Sequence, residues 1–182
     1  PGQRTVTFEV ASPEKPPVEL ADRFVTDADT ESERVAGFHK QKVTVHAPSN
    51  PASDLAFDYG SGWLNNMRFS KDGRLLVTAG FEDRVATVWD LEARRPRMRR
   101  AHAAPLQVVA FDPTGKLWAS ASTDGQVKIW RVADVDPADE FTSDSKIHSA
   151  LLPDSGGPLL LGGEFLAEAR DLLTKAVDAS KG

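Results

Sequence analysis

The chain has no cysteine among its 182 residues. This excludes a disulfide framework, a thiolate metal site and a cysteine nucleophile, and it fits an intracellular setting, cytoplasmic or nuclear. No apolar run approaches the roughly 20 residues that span a bilayer, so no membrane insertion is expected. No secretory or transit segment is visible. An excess of positive charge is also missing. The net charge is −5, so any basic surface must be local, and nothing draws the whole chain to nucleic acid. The four histidines, His39, His46, His102 and His148, are scattered singly. None stands at ligand spacing from another histidine or a carboxylate, so no metal site is expected. The glycines form no phosphate-binding loop, and neither a cofactor nor a small-molecule substrate is expected.

What the chain does contain is one pattern written twice between Trp63 and Val135. Phe69 answers to Phe111, Gly73 to Gly115, Asp83 to Asp124 and Trp89 to Trp130, at an offset of 41 or 42 residues. Spacing of about 40–45 residues marks a propeller blade. Each copy reads strand, turn, strand, turn, strand. Leu75–Thr78 is nearly continuous in apolar character, as a strand buried on both faces must be. Val127–Trp130 alternates.

The flanks are less regular. Val6, Phe8 and Val10 alternate, and Lys42–His46 and Leu55–Phe57 are short strand candidates. Residues 21–36 are acidic and read as a mobile linker. Residues 136–163 read as an acidic linker rich in glycine and proline. Over 164–180 the apolar stripe through Phe165, Leu166, Ala169, Leu172, Leu173, Ala176 and Val177 predicts an amphipathic helix. The expected organisation is thus an extended segment over 1–60, two blades over 61–135, the linker, and the helix.

The repeat resembles the WD40 family. That resemblance implies an all-β fold around the repeats, a partial β-propeller of two clear blades, with the rest of the ring either in degenerate flanking blades, absent, or in another polypeptide; the apolar stripe adds the C-terminal α-helix. It also implies a structural hydrogen-bond network of a histidine, a hydroxyl, an aspartate and a tryptophan. In the second copy these are His102, Ser120, Asp124 and Trp130. In the first copy Asp83 and Trp89 remain, but Gly60 stands at the histidine position and Ala79 at the hydroxyl position. That blade is expected to keep the fold without the full network, and Asp83→Ala to cost less than Asp124→Ala.

Two further motifs bear on function. Asp154-Ser155-Gly156-Gly157-Pro158 resembles the nucleophile segment of trypsin-like proteases. A base and an orienting acid are also required there, and His102 is better placed as a blade histidine. Ser155 is therefore expected to be inert in a glycine-rich turn, with no catalytic residue in the chain. Arg94, Arg95, Arg97, Arg99 and Arg100 form the one pronounced charge cluster, where the family places the outer fourth strand. It reads either as a solvated edge that discourages edge pairing or as a partner-binding surface for acidic protein or, less favourably, nucleic acid.

The chain begins Pro1-Gly2 and is too short for a full ring, so it is expected to sit within a longer polypeptide or an assembly. The implied function is a non-catalytic protein–protein interaction scaffold whose partners are other subunits of a multiprotein complex. The alternatives are an RNA-associated assembly subunit that uses the arginine cluster, and a regulatory module of an enzyme whose catalytic part lies elsewhere.

Overall fold

A computed structural model describes residues 5–7, 18–20, 24–29, 34–39, 41–47, 49–133, 137–143, 147–151, 159–163 and 167–170. Seventeen strands and one 3-10 turn, Pro51–Ser53, are seen among them. Three four-stranded antiparallel sheets follow one another along the chain. Blade A comprises β3 (Phe24–Asp29), β4 (Arg34–His39), β5 (Lys42–His46) and β6 (Leu55–Asp58). Blade B comprises β7 (Leu64–Phe69), β8 (Leu75–Gly80), β9 (Val85–Asp90) and β10 (Arg95–Ala101). Blade C comprises β11 (Leu106–Phe111), β12 (Leu117–Ser122), β13 (Gln126–Arg131) and β14 (Pro137–Thr142). A three-stranded sheet, β15 (Ile147–Leu151), β16 (Leu159–Gly163) and β17 (Ala167–Arg170), comes next. A separate pair, β1 (Thr5–Thr7) and β2 (Val18–Leu20), precedes blade A.

The alternation of side chains in β8 shows why the sheets stack. Leu76 packs toward blade A with Val43, Val45, Phe57, Met67 and Trp89. Its neighbours Leu75, Val77 and Ala79 point the other way, into a second core with Val109, Trp118 and Trp130 of blade C. A third core joins Val108, Ala121, Val127 and Ile129 to Ile147 and Leu161. All six residues of β8 are buried, as its continuous apolar character requires. Each such aliphatic side chain contributes about 1.5–3 kcal/mol when fully buried.

The first strand of each sheet with three or four strands carries the same irregularity, a register shift that leaves one residue bulged. It falls between Val25 and Asp27, Leu64 and Asn66, Leu106 and Val108, and Ile147 and Ser149. Those four strands follow one another, β3 on β7, β7 on β11 and β11 on β15. Polar side chains link them. Phe69 N–H donates to Asp27 Oδ2 at 2.7 Å, and Asn65 Nδ2 donates to the Leu106 carbonyl at 2.9 Å. A bulge sharpens the local twist of its strand, and here it recurs at the place where adjacent blades meet.

The flanks differ from the sequence reading in three places. Residues 21–36, read as an acidic linker, contain β3 and the first half of β4, and Asp27 is spent on the next blade. Strands β14, β15 and β16 fall within 136–163. The predicted helix over 164–180 is corrected at Ala167–Arg170, which is strand β17, paired antiparallel with Leu159–Gly163. Pairing with the hydrogen-bonding edge of β16 overrides local helical preference there. The remainder of 164–180 lies outside the described residues.

Candidate functional site

In blade C the polar set runs from strand to strand. Trp130 sits on β13 opposite Trp118, and its indole N–H donates to Ser120 Oγ at 2.8 Å. His102 Nε2 lies 2.8 Å from the same oxygen, and His102 Nδ1 lies 3.3 Å from Ser122 Oγ. Ser122 in turn donates to Asp124 Oδ1 at 2.5 Å. One tautomer satisfies every partner: Nδ1–H donates to Ser122, and Nε2 accepts from Ser120. The imidazole is therefore neutral. Burial, reinforced by Lys128, pulls its pKa down to about 4, against a smaller opposing effect of Asp124. The hydrogen bond from Ser122 holds the Asp124 carboxyl below its ordinary value. Arg100 and Lys128 sit near the Trp130 ring, at 5.4 and 5.9 Å from its centroid.

Blade B has a different set. Trp89 Nε1 donates to Thr78 Oγ1 at 3.2 Å, so Thr78 stands where Ser120 stands in blade C. The pairings agree, since Thr78 is two residues from Leu76 opposite Trp89, as Ser120 is from Trp118 opposite Trp130. Ala79, to which the sequence assigned the hydroxyl position, is one residue away and faces the other core. Gly60 has no neighbour where a side chain would be, and it takes φ +101. Tyr59, just before it, fills the histidine's place: its hydroxyl donates to Asp83 Oδ1 at 2.8 Å. Gly80, the counterpart of Ser122, makes this possible. A Cβ there would collide with Asp83 Oδ1 and the Tyr59 hydroxyl and lie 2.8 Å from the Val85 carbonyl. Burial, then the bond to Asp83, raises the Tyr59 pKa well above its ordinary value. Sequence reasoning missed Tyr59 because the WD40 pattern has no tyrosine there. Its signal was the coincidence of a tyrosine with a glycine at the Ser122 position.

The arginine cluster lies on β10, the outermost strand of blade B, and on the turn before it. Arg94, Arg95, Arg97 and Arg99 are exposed and Arg100 is half-buried. Arg99 Nη2 lies 3.8 Å from Asp83 Oδ2. Arg94, in the left-handed region at φ 55, Arg95 and Pro96 border a groove between β10 and β6. Pro96 sits opposite Trp89, as Pro137 sits opposite Trp130. Proline at an outer edge removes a donor that would invite another strand.

Of the remaining candidates, Ser155 lies outside the described residues. His46 Nδ1 is 2.9 Å from Asp54 Oδ2. Among the described residues no group of histidines and carboxylates could hold a metal, and no helix is long and apolar enough to cross a membrane. The site residues thus gather into two hydrogen-bonded networks, each running from a buried tryptophan or tyrosine to a turn carboxylate, and one exposed basic strand.

Comparison with known proteins fits this architecture. The profile of the eukaryotic translation initiation factor eIF2A family matches residues 28–135, more than half of the chain. The chain belongs to this family. WD-repeat relatives match part of the chain as well. WD repeat and HMG-box DNA-binding protein 1 of Xenopus laevis is 38% identical over 71 residues, 38% of this chain and 6% of the relative. Small ribosomal subunit protein RACK1 of Caenorhabditis elegans is 34% identical over 76 residues, 40% of this chain and 23% of the relative. Eukaryotic translation initiation factor 2A of Drosophila melanogaster is 29% identical over 102 residues, 55% of this chain and 15% of the relative. The chain therefore covers less than a quarter of each of these relatives.

Proposed function

We propose that the chain is a non-catalytic protein–protein interaction scaffold, a WD40-type part of a larger multiprotein complex. The observation that carries this reading is the use of its reactive groups. His102, the strongest base candidate, is buried between two serines, neutral and committed to the blade. The exposed chemistry is instead a strand of guanidinium groups on an outer edge. Groups arranged in this way bind surfaces and do not transfer protons or acyl groups.

A second reading has its own support. The matched family is named for translation initiation, and one relative is named as a ribosomal subunit protein. An RNA-associated assembly subunit would use the same arginines on phosphate. The other named partner class, a catalytic domain elsewhere in a longer polypeptide, has no comparable observation behind it. An intracellular setting, cytoplasmic or nuclear, accompanies either reading.

The test is affinity purification of the tagged chain from cells, with nuclease and high salt. The scaffold reading expects a stoichiometric protein partner that survives both. Loss of every partner with nuclease or salt would favour the RNA reading, since phosphate contacts weaken steeply with salt. Labelling of Ser155 by a fluorophosphonate, absent in Ser155→Ala, would overturn the non-catalytic assignment.

A further inference from the structure

Between the outer strands of blades A and B lies a groove of about 270 Å³. Its floor is formed by Phe57, Tyr59 and Trp89, all nearly buried, with the Phe57 and Trp89 rings 5.1 Å apart. Thr87 also lines it, and its hydroxyl oxygen is buried with no hydrogen-bond partner among the described residues. One wall is β10 with its preceding turn and carries the guanidinium groups of Arg94, Arg95 and Arg99. Arg94 and Arg95 make no ion pair among the described residues. We propose that this groove docks an acidic linear peptide of a partner protein that inserts one bulky apolar side chain over the aromatic floor. The proposal deepens the scaffold reading and rests on it.

Three observations select this occupant. The floor is apolar and the volume suits a single large side chain, whereas the wall is cationic, so the complementary segment is apolar at one point and acidic beside it. RNA fits less well. Base stacking needs open aromatic faces, and Trp89 and Tyr59 are each only 4% exposed. The opposite wall presents the exposed carboxylate of Asp58, paired with Lys42 at 3.7 Å, so it adds no net positive charge for a continuous phosphate chain, whereas a peptide with spaced acids needs only the arginine wall.

The experiment measures fluorescence anisotropy of a labelled peptide in which one leucine is flanked on both sides by glutamates, titrated with the 182-residue chain. Binding should weaken about tenfold or more in Arg94→Glu/Arg95→Glu, and similarly in Ala56→Trp, which fills the groove from β6. Arg97→Glu, on the same strand but away from the groove, should change affinity by less than about twofold. Unchanged thermal melts would confirm that these exposed substitutions leave the fold intact. Absence of wild-type binding, equal binding of an all-glutamate peptide, equal loss in Arg97→Glu, or tighter binding of a uridine homopolymer would each overturn the proposal. The two readings fail separately. If the cellular protein partner is kept in full by Arg94→Glu/Arg95→Glu, the groove assignment falls and the scaffold stands; if no protein partner exists, the scaffold itself falls.

Discussion

Blades B and C have the same strand plan, the same bulge on the first strand and the same tryptophan opposite a proline, yet they satisfy their buried polar groups differently. Blade C uses a relay, Trp130 to Ser120 to His102 to Ser122 to Asp124. Blade B splits the task into two short bonds, Trp89 to Thr78 and Tyr59 to Asp83. The difference comes down to one position. Ser122 extends the relay in C, and Gly80 clears the space in B so that a tyrosine hydroxyl reaches the aspartate directly. The physical requirement, that a buried indole and a turn carboxylate find partners, is constant. The residues that meet it are not.

The sharpest way to break this comparison is to remove the space. Gly80→Ala should destabilise the protein by roughly 2–5 kcal/mol, because the added carbon meets the Asp83 carboxylate, the Tyr59 hydroxyl and a backbone carbonyl. Adding Tyr59→Phe should restore part of the loss, as read by urea denaturation. A Gly80→Ala variant of wild-type stability would show that blade B does not depend on the glycine.

Next in size is the central hydroxyl of each blade. Ser120→Val strands both the Trp130 indole and His102 and should cost about 2–5 kcal/mol. Thr78→Val strands only Trp89 and should cost about 1–3 kcal/mol. Reversal of that order in chemical unfolding would contradict the relay in blade C.

The two blades should also part in their response to pH. His102 has a folded pKa of about 4, below its ordinary 6.5. Between those values the unfolded chain binds the proton and the folded chain does not. The stability it contributes is thus present above pH 6.5 and is lost as pH falls toward 4. His102→Gln should flatten the unfolding midpoint across that window, whereas Tyr59→Phe should leave its slope unchanged. A slope in the wild type equal to that of His102→Gln would remove the histidine from the account.

The smallest expected effect lies at the outer edge. Arg97→Ala should shift stability by less than about 0.5 kcal/mol, since the side chain is exposed and bulged out of the ladder. A larger loss in thermal unfolding would mean that the basic strand supports the blade.

The repeat was legible in the sequence because its anchors are few and distinctive: a phenylalanine, a turn glycine and a tryptophan at matched offsets. The register within it was less so. The turn after β8 holds four residues, Phe81 to Arg84, where blade C has three, Thr123 to Gly125. Counting back from the aspartate therefore lands on Ala79 and not Thr78. Of blade A the sequence showed two strands, Lys42–His46 and Leu55–Phe57, now β5 and β6, but not the repeat, because it lacks the anchors. Val25 pairs with Gly37 as Leu64 pairs with Gly80, which puts Val35 where its neighbours have Thr78 and Ser120. What blade A shares with them, the bulge and the Asp27 link to Phe69, depends on strand pairing and leaves no motif. Strand β17 was hidden for a related reason, since Ala167–Arg170 is strand by virtue of its partner β16.

The account stands on the claim that Tyr59 and Asp83 act as one unit in place of the histidine relay. A double-mutant cycle of Tyr59→Phe and Asp83→Asn, followed by urea denaturation, tests it directly. The account predicts a coupling of about 1 kcal/mol or more, with the second substitution costing little once the first is made. Against the order that the repeat pattern alone implies, it also predicts that Asp83→Asn alone is at least as damaging as Asp124→Asn, because Asp83 is the more buried carboxylate. Additive losses from the two substitutions, to within a few tenths of a kcal/mol, would contradict the claim.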